Sequence, residues 1–87
     1  MHAVVINVTF TDFPAARAEL SELVPRVSSA PGFVAGYWIA LSENKGTSTV
    51  VFDSEDGAKA LLGMMQGAPP MTVTIDSVEV GEVLASA

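Results

Sequence analysis

The sequence predicts an α+β domain in the order strand, helix, strand, strand, helix, strand, built to pair with a second copy of itself. Three observations predict it. The chain has 87 residues, room for one domain over residues 1–87, since domains run from about 50 to 250 residues. Runs rich in β-branched and aromatic residues alternate with segments of helical spacing, and turn residues punctuate each change. The first two strands are apolar on both faces, more than two helices of about a dozen residues can cover. A chain this small buries only about 60–65% of the surface its unfolded form exposes. It contains no cysteine, so disulfides and thiolate metal sites are excluded and self-association is the natural source of extra burial.

The first strand is Met1 to Phe10, with Val4, Ile6, Val8 and Phe10 on one face and Ala3, Val5, Asn7 and Thr9 on the other. Thr11 or Asp12 then caps a helix with Pro14 in its first turn, where the missing N–H is harmless. Ala16, Leu20, Leu23, Val24 and Val27 follow at helical spacing, with Glu19, Glu22 and Arg26 on the wet side. Pro25 removes the bond to the Ser21 carbonyl, which predicts a kink. Pro31-Gly32 turns the chain into a second strand, Phe33 to Ser42. Strict alternation puts Phe33, Ala35, Tyr37, Ile39 and Leu41 on one face and Val34, Gly36, Trp38 and Ala40 on the other. Glu43-Asn44-Lys45-Gly46 is a hairpin loop with Gly46 or Asn44 at a positive φ, and Thr47 to Asp53 returns antiparallel.

Ser54 caps the second helix, Glu55 and Asp56 oppose its dipole, and Ala58, Leu61, Leu62 and Met65 form its buried stripe. Gly67 ends it and Pro69-Pro70 prevents resumption. The last strand starts at Met71, and its alternation changes phase: Met71, Val73 and Ile75 share one face, whereas Val78, Val80 and then Val83 have other parities. A bulge or bend at Asp76-Ser77 or Gly81 would account for this, and the strand's tail would reach across to a neighbouring copy.

Ten acidic against four basic residues give a formal net charge of −6. Arg17, Arg26, Lys45 and Lys59 are scattered, so nucleic acid and anionic membranes are not expected as partners. No apolar run approaches the roughly 18–20 residues of a membrane span and no basic segment opens a secretory signal, which makes the cytoplasm the expected location. His2 is the sole histidine; it stands at a terminus that frays, with no serine placed for it to activate. No lysine-bearing glycine-rich phosphate loop occurs.

The element order, the Pro31-Gly32-Phe33 turn and the junction Val51-Phe52-Asp53-Ser54-Glu55-Asp56-Gly57-Ala58 resemble the dimeric α+β barrel proteins, in particular the antibiotic-biosynthesis-monooxygenase-like group. The resemblance implies a ferredoxin-like βαββαβ subunit with a four-stranded antiparallel sheet, two sheets facing each other across a homodimer, and a pocket between each sheet and its own helices. It further implies a small aromatic or polyketide-like ligand and, as the activity, cofactor-free monooxygenation, since members of the group oxygenate electron-rich aromatic compounds. Asn7 matches the pocket asparagine of oxygenase and haem-degrading members. Phe52 stands where many relatives carry a tryptophan. The helical histidine that would bind haem iron has no counterpart, so the expected cofactor is none.

Asn7 is accordingly the candidate catalytic residue. An amide on an apolar strand costs a few kcal/mol if buried unpaired, and here it could bond a substrate oxygen or an enolate. Trp38, between Gly36 and Ala40, either walls a cavity or fills the space those small residues leave. Tyr37 and Arg17 carry polar groups suited to a ligand or, equally, to solvent and surface ion pairs. Phe52 and Met65 complete the candidate binding set, Met65 offering an adaptable apolar surface. The competing reading is a non-catalytic dimeric module that binds a ligand or a partner.

Overall fold

The computed structural model describes residues 1–67 and 72–87; the expected Pro69-Pro70 stop and Met71 lie outside them. The elements are β1 (His2–Phe10), α1 (Phe13–Ser28), β2 (Phe33–Ala40), β3 (Lys45–Phe52), α2 (Glu55–Gly67) and β4 (Val73–Glu82). They form one four-stranded sheet in the order β2-β3-β1-β4, with every neighbouring pair antiparallel. This is the predicted ferredoxin-like α+β arrangement. Both helices lie on one face of the sheet, with α2 over β1, β3 and β4 and α1 over β2.

Local chemistry sets the helix boundaries. Asp12 is the N-cap of α1, its carboxylate accepting from the Ala15 N–H at 3.2 Å, and Ser54 Oγ accepts from the Gly57 N–H at 3.2 Å at the start of α2. α1 runs through Pro25 without ending there. The Pro25 carbonyl then collects the hydroxyls of Ser28 and Ser29 and the Ser29 N–H, at 3.1, 2.8 and 3.2 Å. Two side-chain hydroxyls and one backbone N–H thereby satisfy the Pro25 carbonyl in the final turn.

The core lies between the sheet and α2, with the end of α1 closing one side. Val4, Ile6, Val50, Phe52, Val27, Ala58 and Leu61 are its buried members. Val4 pairs with Val50 on one side and Val80 on the other, so one cross-strand row is wholly aliphatic.

Two bulges correct the simple alternation. In β2 the register shifts between Phe33 and Ala35. Val34 is the extra residue, and Phe33 therefore joins Trp38 against the core instead of sharing a face with Tyr37 and Ile39. In β4 the shift falls between Ser77 and Ile75 opposite Asn7 and Val8. Asp76 is the extra residue, and Ile75, Val78 and Val80 all reach the core side. This is the phase change the sequence shows at Asp76-Ser77.

The β2–β3 hairpin also differs from expectation. β3 begins at Lys45, and among the described residues the one positive φ is at Gly32, at 83°. Gly46 is needed for space: a Cβ there would stand 2.6 Å from Phe10 Cζ. The turn closes through the Leu41 and Ser42 N–H groups, which donate to the Lys45 carbonyl at 2.9 and 3.2 Å.

Candidate functional site

Strand parity divides the candidate residues between the two faces of the sheet. Trp38, Phe52 and Met65 are on the helix side. Phe52 is fully buried and meets Phe33 edge to face at a centroid distance of 6.2 Å. The Trp38 indole lies over Gly36, whose missing Cβ would stand 2.8 Å from Cζ3 and Cη2. Asn7 and Tyr37 are on the opposite, open face, one strand apart across β3, where Asn7 pairs with Thr47 and Tyr37 with Thr49. Arg17 is exposed on α1. The pocket implied by resemblance lies between sheet and helices; here Asn7 points away from that space.

A shallow groove does open on the helix side, between α2 and β4. Leu62, Met65, Gln66, Ile75 and Val78 line about 360 Å³. Four of these five side chains are apolar, and Gln66 is the one polar group among them. Met65 is the sequence candidate that reaches it. Helical spacing made Leu62 and Met65 visible in the sequence, but Ile75 and Val78 align with them only through the Asp76 bulge. A larger hollow of about 570 Å³ lies at the other end of the sheet, between Phe13 and the Ala40–Glu43 turn. It opens widely to solvent, with Leu41, Ser42 and Glu43 all exposed, and brings none of the candidate residues together.

The open face has its own chemistry, laid out in rows. Gly81, Ala3, Val51 and Ala35 form one row; Glu79, Val5, Thr49 and Tyr37 the next; Ser77, Asn7, Thr47 and Ile39 a third; Thr74, Thr9 and Lys45 the last. Apolar groups gather toward β2, where Val34, Tyr37 and Ile39 are 50%, 63% and 49% exposed. Polar groups gather toward β4. Asn7 Nδ2 donates to Ser77 Oγ at 3.0 Å, Thr9 Oγ1 donates to Asp76 Oδ2 at 2.7 Å, and Lys45 Nζ donates to Thr9 Oγ1 at 2.7 Å. The face is thus half oily and half polar, not apolar throughout as the first two strands suggest.

Among the described residues no three histidine or carboxylate side chains group as a metal site, and no helix is long and apolar enough to cross a membrane.

No protein-family model matches the chain, and no curated protein matches its sequence. Solved structures do match. The cofactor-independent oxygenase SnoaB from Streptomyces nogalater is similar with a TM-score of 0.79 at 16% identity, over 98% of this chain and 94% of that one. A dimeric ferredoxin-like protein from an uncultured marine organism matches with a TM-score of 0.68 at 15% identity, over 100% and 98% of the two chains. The heme-degrader MhuD from Mycobacterium tuberculosis, whose structure holds two hemes, matches with a TM-score of 0.67 at 18% identity over 98% of each chain. At these identities the likeness concerns backbone architecture alone: the chain has the ferredoxin-like βαββαβ fold that these structures share.

Proposed function

We propose that the protein acts as a homodimer that takes a small aromatic or polyketide-like molecule into the α2–β4 groove of each subunit and promotes its oxygenation without a cofactor. The observation that carries this reading is the groove itself, apolar on four of its five lining side chains and set between sheet and helix. The similarity in fold to a cofactor-independent oxygenase supports it, and the similarity to a dimeric ferredoxin-like protein supports the assembly. Chemistry of this kind asks little of the protein. A hydroxylated aromatic whose ring carbon ionises near neutral pH gives its electron pair to dissolved oxygen, a C–O bond forms, and the hydroperoxide loses water to leave a carbonyl. Desolvation and a fixed orientation are what the groove contributes.

One observation favours a second reading, a binding module without catalysis. Asn7, the residue placed to stabilise an enolate in the sequence reading, is on the far side of the sheet from the groove, with its amide bonded to Ser77.

Replacing Met65 with Trp fills the groove, and is expected to weaken binding of an electron-rich hydroxylated aromatic at least about tenfold, as read by equilibrium dialysis. Oxygen uptake by the wild-type protein with the same compound separates the readings. Uptake that Met65→Trp abolishes and Asn7→Ala spares supports oxygenation in the groove, and binding without uptake supports the module. Uptake abolished by Asn7→Ala in a folded dimer would move the chemistry to the open face and end the groove proposal.

A further inference from the structure

The polar half of the open face is concentrated at one point, and the β4 bulge concentrates it. Regular alternation would send Asp76 and Ser77 to opposite faces; the extra residue lets both side chains reach the open one. Lys45 Nζ stands 3.4 Å from Asp76 Oδ2, and both bond Thr9 Oγ1, which closes a triangle of lysine, threonine and aspartate. The Asn7–Ser77 bond lies in the next row. In the single chain the ion pair is open to solvent, with side-chain exposures of 54% for Lys45 and 38% for Asp76.

We propose that this cluster is the register lock of the interface between two copies of the chain. The inference rests on the homodimer reading above and says which part of the face sets its geometry. Two copies that each carry −6 repel, and any unpaired charge held in the seam between them adds to that repulsion at the shortest distance. Lys45, one of only four basic residues, neutralises the bulge carboxylate there and leaves Glu79 as the uncompensated charge in the four rows. The apolar contacts of Val34, Tyr37 and Ile39 are non-directional, so alone they let two sheets slide past one another. Within the triangle Lys45 Nζ has two acceptors for its three N–H groups and Asp76 bonds through Oδ2 alone, so a dry seam must satisfy the remaining donor and Oδ1 from the facing copy, which fixes one register. Sliding the triangle onto the apolar half of the partner strips its hydration and returns nothing, which penalises every other register.

The test compares wild type with Lys45→Met, Asp76→Leu and the double variant by sedimentation equilibrium, with circular dichroism to verify the fold. Either single change strands one charge in the seam, and dimer affinity is expected to fall by at least about 100-fold. The double variant removes both charges, and its affinity is expected to recover to within about tenfold of wild type, with species larger than the dimer appearing because the register is no longer unique. Lys45→Met covers the case in which Asp76→Leu disturbs the bulge, since it leaves β4 untouched. A folded single variant that dimerises like wild type overturns the lock while the homodimer stands. A wild type that is monomeric at tens of micromolar overturns the homodimer, and the lock with it.

Discussion

Gly46 and Gly63 stand in opposite surroundings, and the contrast gives a direct test of the packing. A Cβ on Gly46 would meet Phe10 Cζ at 2.6 Å and the Ile39 carbonyl at 3.1 Å, whereas one on Gly63 would meet nothing within 4 Å. Gly46→Ala is expected to destabilise by about 1–3 kcal/mol through overpacking between β1 and β3. Gly63→Ala, in the exposed middle of α2, is expected to stabilise by about 0.5–1 kcal/mol through helix propensity. Urea unfolding at one protein concentration measures both, because the proposed dimerisation would make apparent stability concentration-dependent. Asn7 illustrates what was legible at this scale and what was not. Its parity with Ala3, Val5 and Thr9 could be read directly from the strand. Which parity the helices cover could not, because Val5 and Ala3 are as acceptable to a core as Val4 and Ile6, and only the packed structure decides between two apolar faces.

The elements themselves were largely readable. Capping residues, the prolines and the two-period and helical patterns place all six, with boundaries shifted by a residue or two at the β2–β3 turn. What alternation alone obscured was the pair of bulges. A bulge adds one residue without changing which face the rest must serve, so it leaves only a phase slip, clear in β4 and hidden in β2 because Val34 is itself apolar. This reading predicts how single-residue deletions behave. Removing Asp76 leaves Ile75, Ser77 and Val78 in unbroken alternation with the core side chains still aligned, and is expected to keep a single cooperative unfolding transition. Removing Thr49 from the regular strand β3 moves either Val50 and Phe52 or the preceding half of the strand to the wrong face, and is expected to abolish cooperative unfolding. Thermal melts of the two deletion variants distinguish these outcomes.

On the scale of the whole molecule, the helices shield one side of the sheet, and among the described residues no element shields the other. The homodimer proposal predicts that Ile39→Glu, a charge set into the exposed apolar half beside Tyr37, raises the dissociation constant on the order of 100-fold, as measured by sedimentation, while the helix-side core stays folded. The candidate site was less legible than the fold for a related reason. Its lining depends on α2 lying against β4, and the residues that singled themselves out in the sequence, an asparagine, a tryptophan and a tyrosine, did so by chemistry and not by position.

β2 is an outer strand of the sheet, and its exposed side chains include Val34, Tyr37 and Ile39, followed by Leu41 just beyond its end. A lone subunit therefore offers a rim of unsatisfied amides and carbonyls flanked by oily groups, which is a template for strand addition by any passing chain. Any variant that weakens the proposed dimer at a fixed protein concentration should therefore aggregate faster than wild type.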